Sequence, residues 1–221
     1  MSRPKPLSLV QPFRTVALAH GEFPAHSMAL QSLRNAAVVV CCDGAVESLL
    51  QFGRKPDYIV GDLDSISPEL KERFADRLRH VEEQESNDLT KSMIFCRSKG
   101  YRSVTILGAT GKREDHTLGN ISLLADYAKE MGMEVQMLTS YGVFSVASGS
   151  AAFESFAGQQ VSIFGLSPQA AITTEGLKYP IANRPLPSWW MGTLNESLGD
   201  SFSVLFSEGS VLVFREYPKQ A

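Results

Sequence analysis

Cysteine is scarce in this chain. Only three of its 221 residues are cysteine, two of them adjacent (Cys41, Cys42) and the third Cys96. They offer no disulfide framework and no C-x-x-C pair for zinc. No apolar run approaches the roughly 20 residues that cross a bilayer, so no membrane span is expected. The opening "MSRPKPLSLVQPFRTVALAH" carries basic residues but is broken by Pro4, Pro6 and Pro12. It lacks the apolar core and cleavage site of a signal peptide, and a cytoplasmic protein is expected. An excess of positive charge is also missing. The net charge is -3, which argues against a general nucleic-acid binder. A phosphate-bearing ligand would have to be held locally, by a few cations or by a metal. Internal repeats, low-complexity tracts and long linkers are absent too.

What is present is an ordinary globular composition, 43% hydrophobic and 20% charged, arranged in two rhythms. Through residue 140, apolar runs alternate with helical patterns. "TVALA" (15–19), "AAVVVCC" (36–42), "DYIVG" (57–61), "SVTILGA" (103–109) and "EVQMLTS" (134–140) read as buried strands. Helices are expected over 27–35, 44–53, 67–78, 87–100 and 114–132. The third begins with Ser67 as N-cap and Pro68 at the first helical position; the last two end at glycines. Continuous hydrophobic strands between helices indicate a mainly parallel, Rossmann-like α/β sheet with helices on both faces. After about residue 141 come short segments edged by glycine or proline ("VFSVASG", "QQVSIFGL", "SVLVFRE"), as in an all-β sandwich or barrel. The boundary falls within 139–143, giving domains 1–140 and 141–221.

The first domain sets its acids where its strands end. Asp43 follows "VVVCC", Asp62 and Asp64 follow "YIV", Asp88 opens "NDLTK", and Asp115 follows the turn after "SVTILG". Ligands of open α/β sheets bind outside the carboxyl ends of the strands. If Asp62 and Asp64 stay extended, they share one face about 6.6 Å apart. They then repel by about 2–3 kcal/mol at an effective dielectric near 20. A cation relieves that repulsion, and Mg²⁺ favours one or two carboxylates with phosphates and water. Taken singly, each aspartate reads equally well as a turn former; the set points to a metal that carries a nucleotide's phosphates.

"GATGKREDH" (108–116) is not a P-loop. Two residues, not four, separate its first glycine from Gly-Lys, and no Ser or Thr follows Lys112. It is nonetheless a glycine-rich turn entering a helix, able to hold phosphate oxygens through backbone N–H groups. Arg113 suits a two-pronged phosphate contact. His116 either donates to phosphate or simply begins the helix. Asp88 and Lys91, three apart, are neighbours on a helix surface and on their own would be an ordinary salt bridge.

In order along the chain, "CCDGA", "PDYIVGDLDSI", "ESNDLTKSM", "LGATGKREDHTLGNISLL", "TTEGLKYPI" and "GTLNES" resemble thiamine pyrophosphokinases, from about Thr15 to Phe214. The resemblance implies transfer of the pyrophosphoryl group of ATP to the hydroxyl of thiamine, with Mg²⁺, in a homodimer whose subunits meet around the thiamine site. It assigns Asp43, Asp62 and Asp64 to the metal. Asp62, Asp64, Asp88, Lys91, Arg113 and Asp115 become the catalytic set, and Asp62, Asp64 and Asp88 all remain candidates for the general base. Asp43, Gly44, Thr90, Gly111, Lys112, Arg113, His116 and Asn120 fall on the nucleotide side. Asp88, Lys178, Tyr179, Trp189, Trp190 and Asn195 fall on the thiamine side. The chain departs from the family in Tyr179, where tryptophan is usual, and in Leu194-Asn195, where a Ser-Asn pair is usual. Trp189-Trp190 in "RPLPSWWMG" is either a packing or dimer element or the aromatic face that replaces the missing tryptophan. Two other readings stay open. "YIVGDLDSI" also fits the Asp-x-Asp of haloacid-dehalogenase-like phosphatases, and the same scaffold suits a non-catalytic nucleotide- or thiamine-binding regulator.

Overall fold

The structure is a computed structural model and describes residues 5–219. Pro4 and the outer ends of the two expected domains lie outside the described residues. The described residues form two compact units, one of residues 12–140 and one of residues 141–219 together with 5–11.

The first unit is a parallel α/β sheet. Its strands are β1 (Thr15–Leu18), β2 (Val38–Cys42), β3 (Tyr58–Gly61), β4 (Leu78–His80), β5 (Ser103–Leu107) and β6 (Glu134–Leu138). They pair in the order β6-β5-β1-β2-β3-β4, every pair parallel. β1 is buried along its whole length and β2 and β5 along all but their first residue, which is why these strands are written as unbroken Val/Ile/Leu runs. The helices are α1 (Ser27–Asn35), α2 (Val46–Gln51), α3 (Pro68–Arg73), α4 (Asp88–Ser98) and α5 (Glu114–Lys129). A short 3-10 turn, Asp43–Ala45, precedes α2. α4 packs on β1, β2 and β3, and α5 on β6. The chain runs outward from β1 to β4 and then returns to β5, so the order reverses between β1 and β5. That reversal is the switch point at which such sheets bind ligands.

The helix expected over 67–78 ends early. Ser67 Oγ does accept from the Leu70 N–H (3.3 Å), but α3 stops at Arg73. Phe74 is buried and leaves helical geometry at φ -118°. Leu78–His80 then form β4, which pairs with β3. As a short, half-exposed edge strand it lacks the apolar run that marks the others.

The second unit is a β-sandwich. Its strands are β7 (Gly142–Ala147), β8 (Ala151–Glu154), β9 (Gln160–Gly165), β10 (Thr173–Glu175), β11 (Asn195–Glu196), β12 (Ser201–Leu205) and β13 (Val211–Glu216). β13 lies between β7 and β9, with β11 beyond β9. β12 lies between β8 and β10, and all these pairs are antiparallel. Burial alternates along β9 and β12, and the inward residues of both sheets share one core with Phe153, Ile163, Phe202, Val204 and Val213.

Residues 5–11 join this unit through a buried cation. Arg215 is fully buried. Its guanidinium donates to the carbonyls of Leu7 (3.0 Å), Ser8 (3.0 Å) and Glu154 (2.8 Å) and to Ser145 Oγ (3.3 Å), over the Phe153 ring. Burial lowers its pKa to about 10. Arg215→Met removes these donors and leaves the Leu7 carbonyl only its bond from the Glu154 N–H (2.9 Å), and it is expected to destabilise the protein by about 3 kcal/mol or more in urea unfolding. A loss below about 1 kcal/mol would refute this anchoring role.

Candidate active site

Three carboxylates meet at the carboxyl ends of β2 and β3. One oxygen from each of Asp43, Asp62 and Asp64 lies within 4.8 Å of the others. Asp43 is buried, its Oδ1 accepting from the Gly44 N–H (2.7 Å) and its Oδ2 without a hydrogen-bond partner among the described residues. Burial raises its pKa and the charges of Asp88 and Asp62 raise it further, against the opposing pull of the Gly44 and Leu63 N–H groups. Gly61 makes room for it, since a Cβ there would lie 2.8 Å from the Asp43 Cγ. The extended geometry expected for Asp62 and Asp64 is not what forms. Leu63 between them adopts φ 65°, and Asp62 Oδ1 accepts from the Asp64 N–H (3.3 Å). The chain therefore turns and folds both acids toward Asp43 instead of spacing them along a strand. That N–H lowers the pKa of Asp62, aided by Gln84 and Lys91. The donors are all hard carboxylate oxygens and one of them is buried without a partner, a set that fits Mg²⁺.

Across from this cluster stands the start of α4. Asn87 is its N-cap, Oδ1 accepting from the Thr90 N–H (2.8 Å). Asp88 follows, 3.6 Å from the buried Lys91 ammonium. Thr90 is held away, its hydroxyl bonded to Tyr127 (2.8 Å).

The glycine turn after β5 forms the other wall. Gly108, Gly111 and Lys112 all have positive φ (64°, 75° and 59°), and Lys112 donates to the His20 carbonyl (2.9 Å). Arg113 directs its fork at Asp115 (Nε to Oδ1, 3.1 Å), which lowers the Asp115 pKa to about 2. The phosphate contact expected of Arg113 thus requires it to leave this exposed partner. Asn120 ties the two walls together: its Nδ2 donates to the Ala109 carbonyl (2.8 Å) and its Oδ1 accepts from Asn87 (3.0 Å).

These elements enclose a cleft of about 460 Å³. Of the expected residues, Asp62, Asp88, Lys91, Gly111, Lys112, Arg113, His116 and Asn120 line it. Asp43, Gly44, Thr90, Asp64 and Asp115 are not in the lining. His20, Gln84 and Asn87 also line it, and the sequence reading missed them. His20 had a usable signal, its place just after a buried strand.

The expected thiamine-side residues lie in the β unit. Asn195 is buried and clamps the Tyr179 backbone from both sides, accepting from its N–H (3.1 Å) and donating to its carbonyl (2.7 Å). Lys178 pairs with Glu196 (3.1 Å), while the Tyr179 ring is exposed. The two tryptophans differ. Trp189 packs edge-on against Phe164 (5.6 Å), whereas Trp190 is 75% exposed.

The family model for the thiamin pyrophosphokinase catalytic domain matches residues 29–137, and that for the thiamin pyrophosphokinase substrate-binding domain matches residues 142–214. Thiamine pyrophosphokinase 1 of Oryza sativa subsp. japonica is 30% identical over 145 residues, covering 58% of this chain and 54% of its own. Thiamine pyrophosphokinase 2 of the same organism is 25% identical over 179 residues, 67% of this chain and 66% of its own. The chain thus spans about half the length of the first of these relatives and just under two thirds of the other. Among solved structures, thiamin pyrophosphokinase from Candida albicans superposes with a TM-score of 0.80 at 21% identity, over 99% of this chain and 95% of that one. Thiamine pyrophosphokinase from Bacillus subtilis gives 0.78 at 21% identity, over 93% and 100%. At these identities the structures establish the shared fold.

The raised pKa of Asp43 has a consequence for stability. Its folded-state value lies above its unfolded one, so its contribution is fully present below about pH 4 and is lost as pH rises through the folded value. Asp43→Asn removes that loss. In metal-free protein, the melting temperature of Asp43→Asn relative to wild type should therefore be higher at pH 7 than at pH 4. A difference that does not change with pH would show that Asp43 carries no such strain.

Proposed function

We propose that this chain, which belongs to the thiamin pyrophosphokinase family, transfers the pyrophosphoryl group of ATP to the hydroxyethyl oxygen of thiamine, giving thiamine diphosphate and AMP. The observation that carries the proposal is the convergence of Asp43, Asp62 and Asp64 within 4.8 Å beside a cleft walled by the glycine turn and by Asp88 and Lys91. Three carboxylates facing a polyanion are adverse unless a cation joins them. Asp43, Asp62 and Asp64 would hold Mg²⁺, which when bound supplies neutralisation of phosphate charge.

The chain's own groups then have separate tasks. Backbone N–H groups of the turn, with Lys112 and Arg113, receive the phosphate oxygens. Lys91, buried against Asp88, offers a fixed positive charge. The thiamine hydroxyl oxygen attacks the β-phosphorus, the bond from the α-phosphate bridging oxygen breaks, and AMP leaves with the electron pair. The hydroxyl proton passes to a carboxylate. Asp62, Asp64 and Asp88 are accessible for that role, while Asp43 is buried. Such transfer depends on positioning and charge more than on covalent help.

In the β unit, Lys178, Tyr179, Trp189, Trp190 and Asn195 make up the thiamine side. Of these, Asn195 acts through the Tyr179 backbone, and the exposed Tyr179 and Trp190 rings suit a flat cationic ligand. A homodimer belongs to the same proposal, supported by the large apolar side chains that this unit leaves exposed, Trp190, Leu194 and Leu198 among them. So does a cytoplasmic setting, supported by three free, buried cysteines. Among the described residues no helix is long and apolar enough to cross a membrane.

Purified protein given ATP, Mg²⁺ and thiamine should form AMP and thiamine diphosphate in equal amounts. ADP or free phosphate without AMP refutes the proposal, and hydrolysis of a generic phosphate ester without thiamine favours a phosphatase. Asp62→Asn and Asp64→Asn should each lower turnover about 100-fold or more with little change in melting temperature. Wild-type turnover in either variant removes that residue from the metal.

A further inference from the structure

The polar side chains that line the cleft are mostly engaged with one another. Asn87 and Asn120 bond to each other, and Asn120 also to Ala109. Gln84 donates to Asp62, and Arg113 is held by Asp115. His20 and His116 are different: both line the cleft, and among the described residues no hydrogen bond engages a ring nitrogen of either. Of the two, the His20 ring is the one packed against Gly44.

The backbone fixes where this ring stands. His20 lies two residues past the buried end of β1, at the reversal of strand order. The next residues are tied to the glycine turn, Gly21 N–H to the Gly108 carbonyl (2.6 Å) and Glu22 N–H to the Thr110 carbonyl (2.8 Å). Lys112 reaches back to the His20 carbonyl (2.9 Å). On the other side, a Cβ at Gly44 would collide with the imidazole, so the ring lies against the turn that carries Asp43. It therefore borders both the acidic cluster's turn and the phosphate-binding turn.

We propose that His20 is a substrate-contact residue, its imidazole donating a hydrogen bond to the phosphate chain of the nucleotide alongside Lys112. This rests on the function proposed above and adds a residue to it. The chemistry is consistent. Burial and the Lys112 charge lower the ring's pKa, against the opposing pull of Asp88 and Glu47. A neutral imidazole still offers one N–H donor for a phosphate oxygen.

The test is isothermal titration of wild type, His20→Ala and His20→Asn with the Mg²⁺ complex of α,β-methylene ATP and, separately, with inorganic tripolyphosphate. His20→Ala should bind both about tenfold more weakly, the effect of losing one hydrogen bond to a charged group. His20→Asn, which keeps an N–H donor, should recover part of the loss, and the KM for thiamine should stay unchanged in both variants. Wild-type affinity for both ligands in His20→Ala overturns the inference. So does weakened binding of the nucleotide analogue alone, which would place the ring on the base or ribose. A thiamine KM that rises in step would show a merely structural role. Wild type that binds neither ligand overturns the proposed function, and this inference with it; every other adverse result leaves that function standing.

Discussion

The crowding of negative charge at the ends of β2 and β3 is the constraint on which the α/β unit depends. Asp43 cannot move away from Asp62 and Asp64, because it begins a turn at the end of a buried strand and is itself buried. Its neighbours are shaped around it. Gly61 has no side chain to displace its carboxylate, and Leu63 takes a left-handed conformation, costly for a branched hydrophobe, so that Asp62 and Asp64 turn inward. A fold selected for stability alone would not bury an unpartnered carboxylate oxygen beside two like charges. Local strain and electrostatic strain coincide here, and under the proposed function a bound cation would relieve the electrostatic part.

The same constraint explains which features could be read from the residues. The central strands were legible because burial on both faces writes them as continuous apolar runs. The caps were legible because Ser67 and Pro68 act within a few residues. β4 was not, since an edge strand with one inward leucine has no pattern to show. The turn at Leu63 was not either: leucine carries no signal for a positive φ, and the extended reading of Asp62 and Asp64 was the natural default. What escaped most completely was long-range hydrogen bonding. Arg215 meets residues near the other end of the chain, and no local rule links positions more than 200 apart.

The candidate site shows the same division. The acids and the glycine turn were visible as residue types at strand ends. Their grouping depends on strand order, which sequence does not print: β1 lies between β2 and β5, so the turns after Ala19, Cys42 and Leu107 become neighbours. His20 entered the cleft by that route. Thr90 left it, because its hydroxyl found Tyr127 on α5.

The walls of the cleft are also mechanically linked, and this bears on the kind of chemistry that it suits. Asn120 holds the carbonyl of Ala109 in the glycine turn and the side chain of Asn87, which caps α4. The start of α4 carries Asp88 and anchors Lys91. A displacement of the turn is therefore transmitted to the acid and ammonium opposite. Transfer between two phosphate-bearing and hydroxyl-bearing substrates gains most of its rate from fixed distances and fixed charges. An amide strut between the glycine turn and the charged helix start fixes both together. The acids supply the charge, and the neutral amides keep it in place without adding to it.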